Sequence, residues 1–376
     1  MALLSDDQKL IQDTARTFLA EEGSIASQLR HWRDTGCSDG FGTALWKQFG
    51  ELGLTGICIP ESAGGAGMGA TEAGLVLEEI GRNLTPSPFL TTAVAAVKAL
   101  EGSAQAERWF PGILAGDIVA ALAVDEGKHH DPAAIAMAAK RSGNGFALSG
   151  AKQFVVHGKS ADVLLVAART GGAPGETEGI TLFAVEKGAG GVEVENLALA
   201  DSSKAARLTF DNVQVDADAV VGEVDAGWAP LSRALNAGRA GAAAELVGVA
   251  AGASEMTFEY LKQRKQFGKL IGEFQALQHR AAHLYGEIEI ARAAAAKAAE
   301  LLDAGDPRAE LMVSVAKAKA GRSAALAVQE GIQMHGGIGM TDEHDIGLYM
   351  KREAVLGELF GSPRFHAGRV AELSGY

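Results

Sequence analysis

Residues 143–157 read Gly143-Asn144-Gly145-Phe146-Ala147-Leu148-Ser149-Gly150-Ala151-Lys152-Gln153-Phe154-Val155-Val156-His157. Gly-Asn-Gly suits a tight hairpin turn, because such turns place residues at positive φ. The run behind it is a strand pattern, part alternating and part apolar. Similar short runs occupy 118–124, 163–168, 180–185 and 206–215, divided by Gly, Asn, Asp and Lys. This stretch of the chain is therefore β territory. On either side the texture is helical. Before residue 117, Leu10, Ile11, Ala15, Phe18 and Leu19 recur at helical spacing, and Ser5 with Gln8 predicts a capping box. A glycine-rich break at 60–67 precedes a second helix, predicted over 71–82. After Gly227 the chain is long, Ala- and Leu-rich helix with breaks near Gly268, 303–307 and 335–339. The order is an α+β multidomain chain: helices over 1–117, a β domain over 118–222, helices over 223–376.

A chain of 376 residues, 47% apolar, has room for two or three domains and a large core. Its 34 basic and 47 acidic side chains give a net charge of −13, which argues against nucleic-acid binding. Cys37 and Cys58 provide neither a disulfide framework nor metal-ligand spacing. The N-terminal residues carry no signal or transit pattern, and no apolar run reaches membrane-spanning length. These features lead to the expectation of a cytoplasmic protein without membrane or metal.

Two clusters hold chemistry-bearing residues. In Arg264-Lys265-Gln266-Phe267-Gly268, with Gln275 eleven residues after Arg264, a helix end leaves cations, an amide and an aromatic ring beside a glycine. Such a set suits a pyrophosphate and an adenosine. Alone, it reads better as a charged helix end with a glycine cap. In Gln333-Met334-His335-Gly336-Gly337-Ile338-Gly339, adjacent glycines admit close approach of a ligand or a second backbone. Alone, that is a loop between helices, and His335 reads as a packed histidine. The Gly64, Gly65, Gly67 loop lacks the preceding strand of a dinucleotide fingerprint. His129-His130-Asp131 reads as a turn.

Together these features resemble the acyl-CoA dehydrogenase family over essentially the whole chain. The resemblance is carried by Pro60-Glu61 with Gly64, Gly65 and Gly67, by Gly150-Ala151-Lys152, and by Phe210-Asp211-Asn212-Val213 with Gly222. Arg264-x-x-Phe267-Gly268, Gln275 and Gln333-x-x-Gly336-Gly337 complete it. The resemblance implies a helical N-terminal domain, a middle β-barrel and a C-terminal four-helix bundle that tetramerises. It implies FAD held between subunits, an acyl-CoA thioester substrate, α,β-dehydrogenation, and reoxidation by an electron-transferring flavoprotein. Arg264, Gln266, Phe267, Gln275, Gln333, Gly336 and Gly337 would bind the cofactor, as would Phe154 and Val156 beside the flavin.

This sequence departs from the family where chemistry is done. The usual base position is Phe360, and the alternative one in some relatives is Gly238. The hydroxyl positions near the flavin and its pyrophosphate are Val124 and His130, and Phe154-Val155-Val156 replaces a Trp-Ile-Thr segment. No catalytic residue is assigned. The chain keeps what it would donate to a neighbour's FAD and lacks what it would use itself. That pattern matches base-less subunits of heteromeric family members, some acting on steroid side-chain CoA esters. Two other readings remain: a self-sufficient homotetrameric enzyme whose base is Glu358 or, less directly, Glu353, and a flavin-free binding protein on the same scaffold.

Overall fold

Ser5 starts the first helix, α1 (Asp6–Glu21), through the predicted capping box: Gln8 N donates to Ser5 Oγ at 3.1 Å and Ser5 N to Gln8 Oε1 at 3.0 Å. The computed structural model describes residues 4–376. They fall into two compact units. One comprises the chain up to His31, Ala70–Pro86 and Arg239–Tyr376; the other comprises Trp32–Gly69 and Ser87–Gly238.

In the first unit, α1 buries Ala15 and Leu19 and packs on α2 (Ala70–Asn83), the helix predicted over 71–82. The long C-terminal helices follow: α3 (Trp228–Gln263, in this unit from Arg239), α4 (Gln275–Asp303), α5 (Ala309–His335), α6 (Ile346–Glu358) and α7 (Pro363–Leu373). Their breaks fall at the expected places. Helix α5 is the centre, with α4, α6 and α7 packed against it. Glycines set the closest helix approach. A Cβ on Gly81 would lie 2.1 Å from the Glu245 carbonyl, and one on Gly248 would lie 1.9 Å from the Glu78 carbonyl. Two glycines thus let α2 and α3 touch backbone to backbone. The N-terminus of α2 is capped from far along the chain, because Asp303 accepts from Ala70 N, Thr71 N and Thr71 Oγ1. Beneath the surface, Glu79 receives Arg16 and Arg82, while Arg292 reaches Glu78.

The second unit holds an eight-stranded mixed sheet with β1 (Ala120–Ala123), β2 (Ala138–Ser142), β3 (Gly145–Val156), β4 (Val163–Arg169), β5 (Ile180–Glu186), β6 (Val192–Ala198), β7 (Lys204–Val215) and β8 (Val220–Val221). The order is β6-β7-β3-β2-β4-β5-β8, with β1 parallel to β4. Gly143 turns β2 into β3 as the Gly-Asn-Gly pattern predicts, with Ser142 opposite Gly145. The described strands do not close into the expected barrel. One end, β6, presents exposed Glu193, Val194 and Glu195, and the other, β8, pairs only Val220 and Val221. Strands β2 and β6 were not legible as apolar runs: β2 carries exposed Lys140 and Arg141, and most side chains of β6 face water. The core of the sheet gathers Phe146, Leu148, Leu164, Val166, Phe183, Val185, Leu208 and Phe210. Each such side chain contributes about 1.5–3 kcal/mol on full burial. This unit also holds helices Thr43–Glu51 and Ala104–Leu114 and a buried π-helical segment, Phe89–Ala96. Among the described residues, no helix is long and apolar enough to cross a membrane.

Candidate functional site

In the first unit, α3 ends at Gln263 and the chain makes a short hairpin, Lys265–Gln266 against Lys269–Leu270, before α4 begins at Gln275. Phe267 and Gly268 form its tip at φ 52° and 78°. A non-glycine residue at positive φ is strained. The Phe267 ring is 93% exposed beside exposed Arg264, Lys265 and Gln266. Gln275 is also exposed, at the first position of α4.

The second cluster lies at the end of α5. Gln333, Gly336 and Gly337 are exposed; a Cβ added at either glycine meets nothing within 4 Å, and Gly336 has φ 65°. What joins the clusters is a contact invisible in the motif pattern. Tyr260, in the last turn of α3, stacks on His335, the last residue of α5, with ring centroids 4.6 Å apart. Arg264 N donates to Tyr260 O, and Gly336 follows His335 directly. The cationic hairpin and the paired glycines therefore leave from one packed junction. Cations, amide donors, an exposed ring and bare backbone make a surface suited to a pyrophosphate with an aromatic base.

The turn after α6 carries Phe360, where the family resemblance led to the expectation of a base. Phe360 is buried at φ 59° and is followed by Gly361 at φ 110°. Three buried basic side chains hold this turn. Lys317 Nζ donates to the carbonyls of Leu356, Gly357 and Gly361 at 3.1, 2.8 and 3.3 Å. His366 Nε2 donates to Phe360 O at 3.1 Å and Arg239 Nε at 3.4 Å, with the Arg239 guanidinium 5.5 Å from the Phe365 ring. Burial pushes the Lys317 ammonium down to about 7, against the attraction of Glu358 and Glu353. None of these three residues was singled out by sequence, because a lone Lys or His in a helix carries no signal of its depth. Of the two carboxylates nearest in sequence, Glu358 is exposed. Glu353 is half-buried, burial raises its carboxyl above the usual range, and it lies one turn before Gly357 on α6. Gly238 sits on α3 next to Arg239 and supplies no side chain.

In the second unit, β3 is irregular between Lys152 and Val155, where Phe154 adopts φ 52°. Phe154 is 52% exposed, Val156 half-buried and Val155 in the core, so Phe154 and Val156 share the outer face. The loop after β1 satisfies itself. Glu126 accepts from Ala136 N and Met137 N at 3.0 Å each and from Lys152 Nζ at 2.7 Å. Asp125 accepts from Asp131 N at 3.1 Å and from His130 Nδ1 at 2.8 Å. Lys152 also donates to Val124 O at 2.9 Å; burial lowers its ammonium, and Glu126 opposes that shift. Backbone N–H groups that could hold a phosphate already serve carboxylates of this chain. The turn expected at His129-His130-Asp131 falls just after it, at Pro132 and Ala133, and no metal-binding group of three occurs among the described residues.

The acyl-CoA dehydrogenase N-terminal, middle and C-terminal domain families match residues 5–117, 120–213 and 225–373. The chain belongs to the acyl-CoA dehydrogenase family. This acyl-CoA dehydrogenase relative is 31% identical over 366 residues to the cyclohex-1-ene-1-carbonyl-CoA dehydrogenase of Syntrophus aciditrophicus, covering 95% of this chain and 87% of that protein. Among solved structures, a variant of the Tcur3481–Tcur3483 steroid ACAD is 31% identical, with TM-score 0.87 and 98% of each chain covered. The ChsE4–ChsE5 complex of Mycobacterium tuberculosis is 25% identical, with TM-score 0.88, covering 100% of this chain and 99% of that one. The family is flavin-dependent and oxidises CH–CH bonds.

Proposed function

We propose that this chain is the non-catalytic subunit of a heterotetrameric acyl-CoA dehydrogenase, lending Arg264, Gln266, Phe267, Gln275, Gln333, Gly336 and Gly337 to FAD bound by a homologous partner. The observation that carries this reading is the contrast between the chain's two halves of a cofactor site. The donating half is open: an exposed ring and cations on a strained hairpin, and two glycines with free space around them. Those residues fit a pyrophosphate. The half that would hold the chain's own flavin does not fit it. Phe154 and Val156 offer a surface, but the neighbouring loop carries Asp125 and Glu126 already bound to its N–H donors. The N–H groups of Asp131, Ala136 and Met137 are thereby occupied and offer a phosphate nothing further. The FAD supplies hydride acceptance in the partner, and an electron-transferring flavoprotein reoxidises it.

The ChsE4–ChsE5 complex and the steroid ACAD among the relatives favour a heteromer and a bulky acyl-CoA, of steroid side-chain type. Co-expression with a genomically adjacent paralogue tests the reading. A yellow complex with dehydrogenase activity, neither present in this chain alone, is the expected result. Stoichiometric FAD and full turnover in the isolated chain would remove it.

A second reading rests on Glu353. Its half-buried carboxyl, raised above the usual range by burial, lies on α6 one turn before Gly357 and would serve as the displaced base of a self-sufficient enzyme. Loss of a general base costs about 10²–10⁴-fold in rate. Glu353→Gln should show that fall in any activity the chain has alone, and an unchanged rate disposes of it.

A further inference from the structure

The paired glycines at 336–337 hang from a stack of three rings. Tyr260 lies against His335 at 4.6 Å, and His335 against His344 at 4.3 Å, tilted by 51°. The hydrogen bonds fix both histidine tautomers. His335 Nδ1 sits 2.7 Å from the Gly331 carbonyl, which only accepts, so Nδ1 carries the proton. His344 Nδ1 accepts from Ile346 N at 3.2 Å, so its proton is on Nε2. His335 Nε2 is then a bare lone pair. It is buried in a residue 3% exposed, and it has no hydrogen-bond partner among the described residues.

A buried imidazole without a second acceptor is stable only when neutral. Protonation would place an N–H with nothing to receive it and a full charge 4.3 Å from a second imidazole. The recorded neighbours offer little relief. From α3 there is the neutral phenol of Tyr260. From the segment before α6 there are His344 and Asp345, and Asp345 is already engaged by Arg30 at 2.6 Å. Burial lowers both imidazoles below the ordinary histidine value; the Gly331 carbonyl opposes this at His335 and Asp345 opposes it at His344. The cheapest response to a proton is for the His335 ring to leave the stack. Immediately after it comes Gly336 at φ 65°, a residue free to turn.

We infer that His335 is a positioning residue for the Gly336–Gly337 backbone, and that its stack with His344 is a proton-sensitive latch: closed when both rings are neutral, open when one is charged. The paired glycines then present their ordered backbone only in the closed state. Whatever anion they hold, in this chain or in an assembly, is released on acidification. The latch rests on groups of this chain alone and stands apart from the reading of a partner's cofactor.

Amide hydrogen exchange of the purified chain tests it without a partner. Between about pH 7.5 and about pH 5.5, protection of residues 336–345 relative to a His335→Leu variant at each pH should fall about tenfold, because only the wild type carries a titrating latch. Leu keeps the apolar volume. If His335→Leu folds poorly, His335→Phe takes its place as the reference, since it also removes the titrating ring while keeping an aromatic side chain against Tyr260. Parallel curves for wild type and a folded variant overturn the inference, as does a wild-type loss of protection spread evenly over the first unit. Failure of partner co-expression would leave this result untouched.

Discussion

Lys317 reaches the Gly361 carbonyl at 3.3 Å from the middle of α5, and in doing so ties the centre of the helical unit to the turn that holds Phe360. The same ammonium serves Leu356 and Gly357, so it closes the C-terminus of α6 as a buried cap. Lys317→Met should leave three buried acceptors without donors. A loss of about 3 kcal/mol is expected, read as a lower denaturation midpoint with an unchanged slope. No loss would mean that the carbonyls find water.

The pH dependence of that cap has a definite sign. With its folded pKa pushed down to about 7 from 10.5, the native lysine gives up its proton before the unfolded one does. The unfolded state then binds more protons between those values, and stability rises with pH across that window. Denaturation of wild type and Lys317→Met at increasing pH above neutrality should show the wild type gaining relative to the variant. A constant difference contradicts the buried titration.

Phe360→Glu places a carboxylate on the turn held by Lys317, His366 and Arg239. On the proposed reading it confers no turnover on the isolated chain, because the chain's own flavin half is closed by Asp125 and Glu126 as well. A dye-linked acyl-CoA assay decides. Turnover above background would locate the deficiency in one side chain.

Gly337 offers the cleanest test of donation. An added Cβ there meets nothing in this chain, and its φ is not positive, so Gly337→Val should fold as the wild type does. Retention of FAD by the co-expressed complex should nevertheless fall, by about tenfold or more for a lost backbone approach worth about 1.4 kcal/mol. Unchanged retention would separate these glycines from the cofactor.

Glu79 is a structural counterpart. Its side chain is fully buried between Arg16 and Arg82. Glu79→Gln leaves the guanidinium groups short of a partner, and a loss of about 3 kcal/mol is expected in thermal or chemical unfolding.

Helix order, the Ser5 cap and the Gly-Asn-Gly hairpin were legible because each depends on local chemistry. The open backbone at Gly336 and Gly337 was legible too, since paired glycine is itself a backbone signal. The depth of Lys317, Arg239 and His366 was not, because burial of a basic side chain is decided by elements far away in sequence. Strand β6 was missed for a related reason: its glutamates face water at a sheet edge, so no apolar stripe marks it. The barrel expected from family resemblance is an open sheet, and that difference lies in pairing partners, which alternation along a single strand does not encode.

The Asp303 cap on α2 has a consequence for biosynthesis. The carboxylate that begins this helix is 233 residues downstream of Ala70. At roughly 5–20 residues per second, a ribosome needs on the order of 10–50 s to supply it. During that interval the emerging α2 has neither its cap nor the later helices of its unit, and its apolar face must wait. Nascent chains are therefore expected to recruit holding chaperones until the last third of the polypeptide has left the exit tunnel.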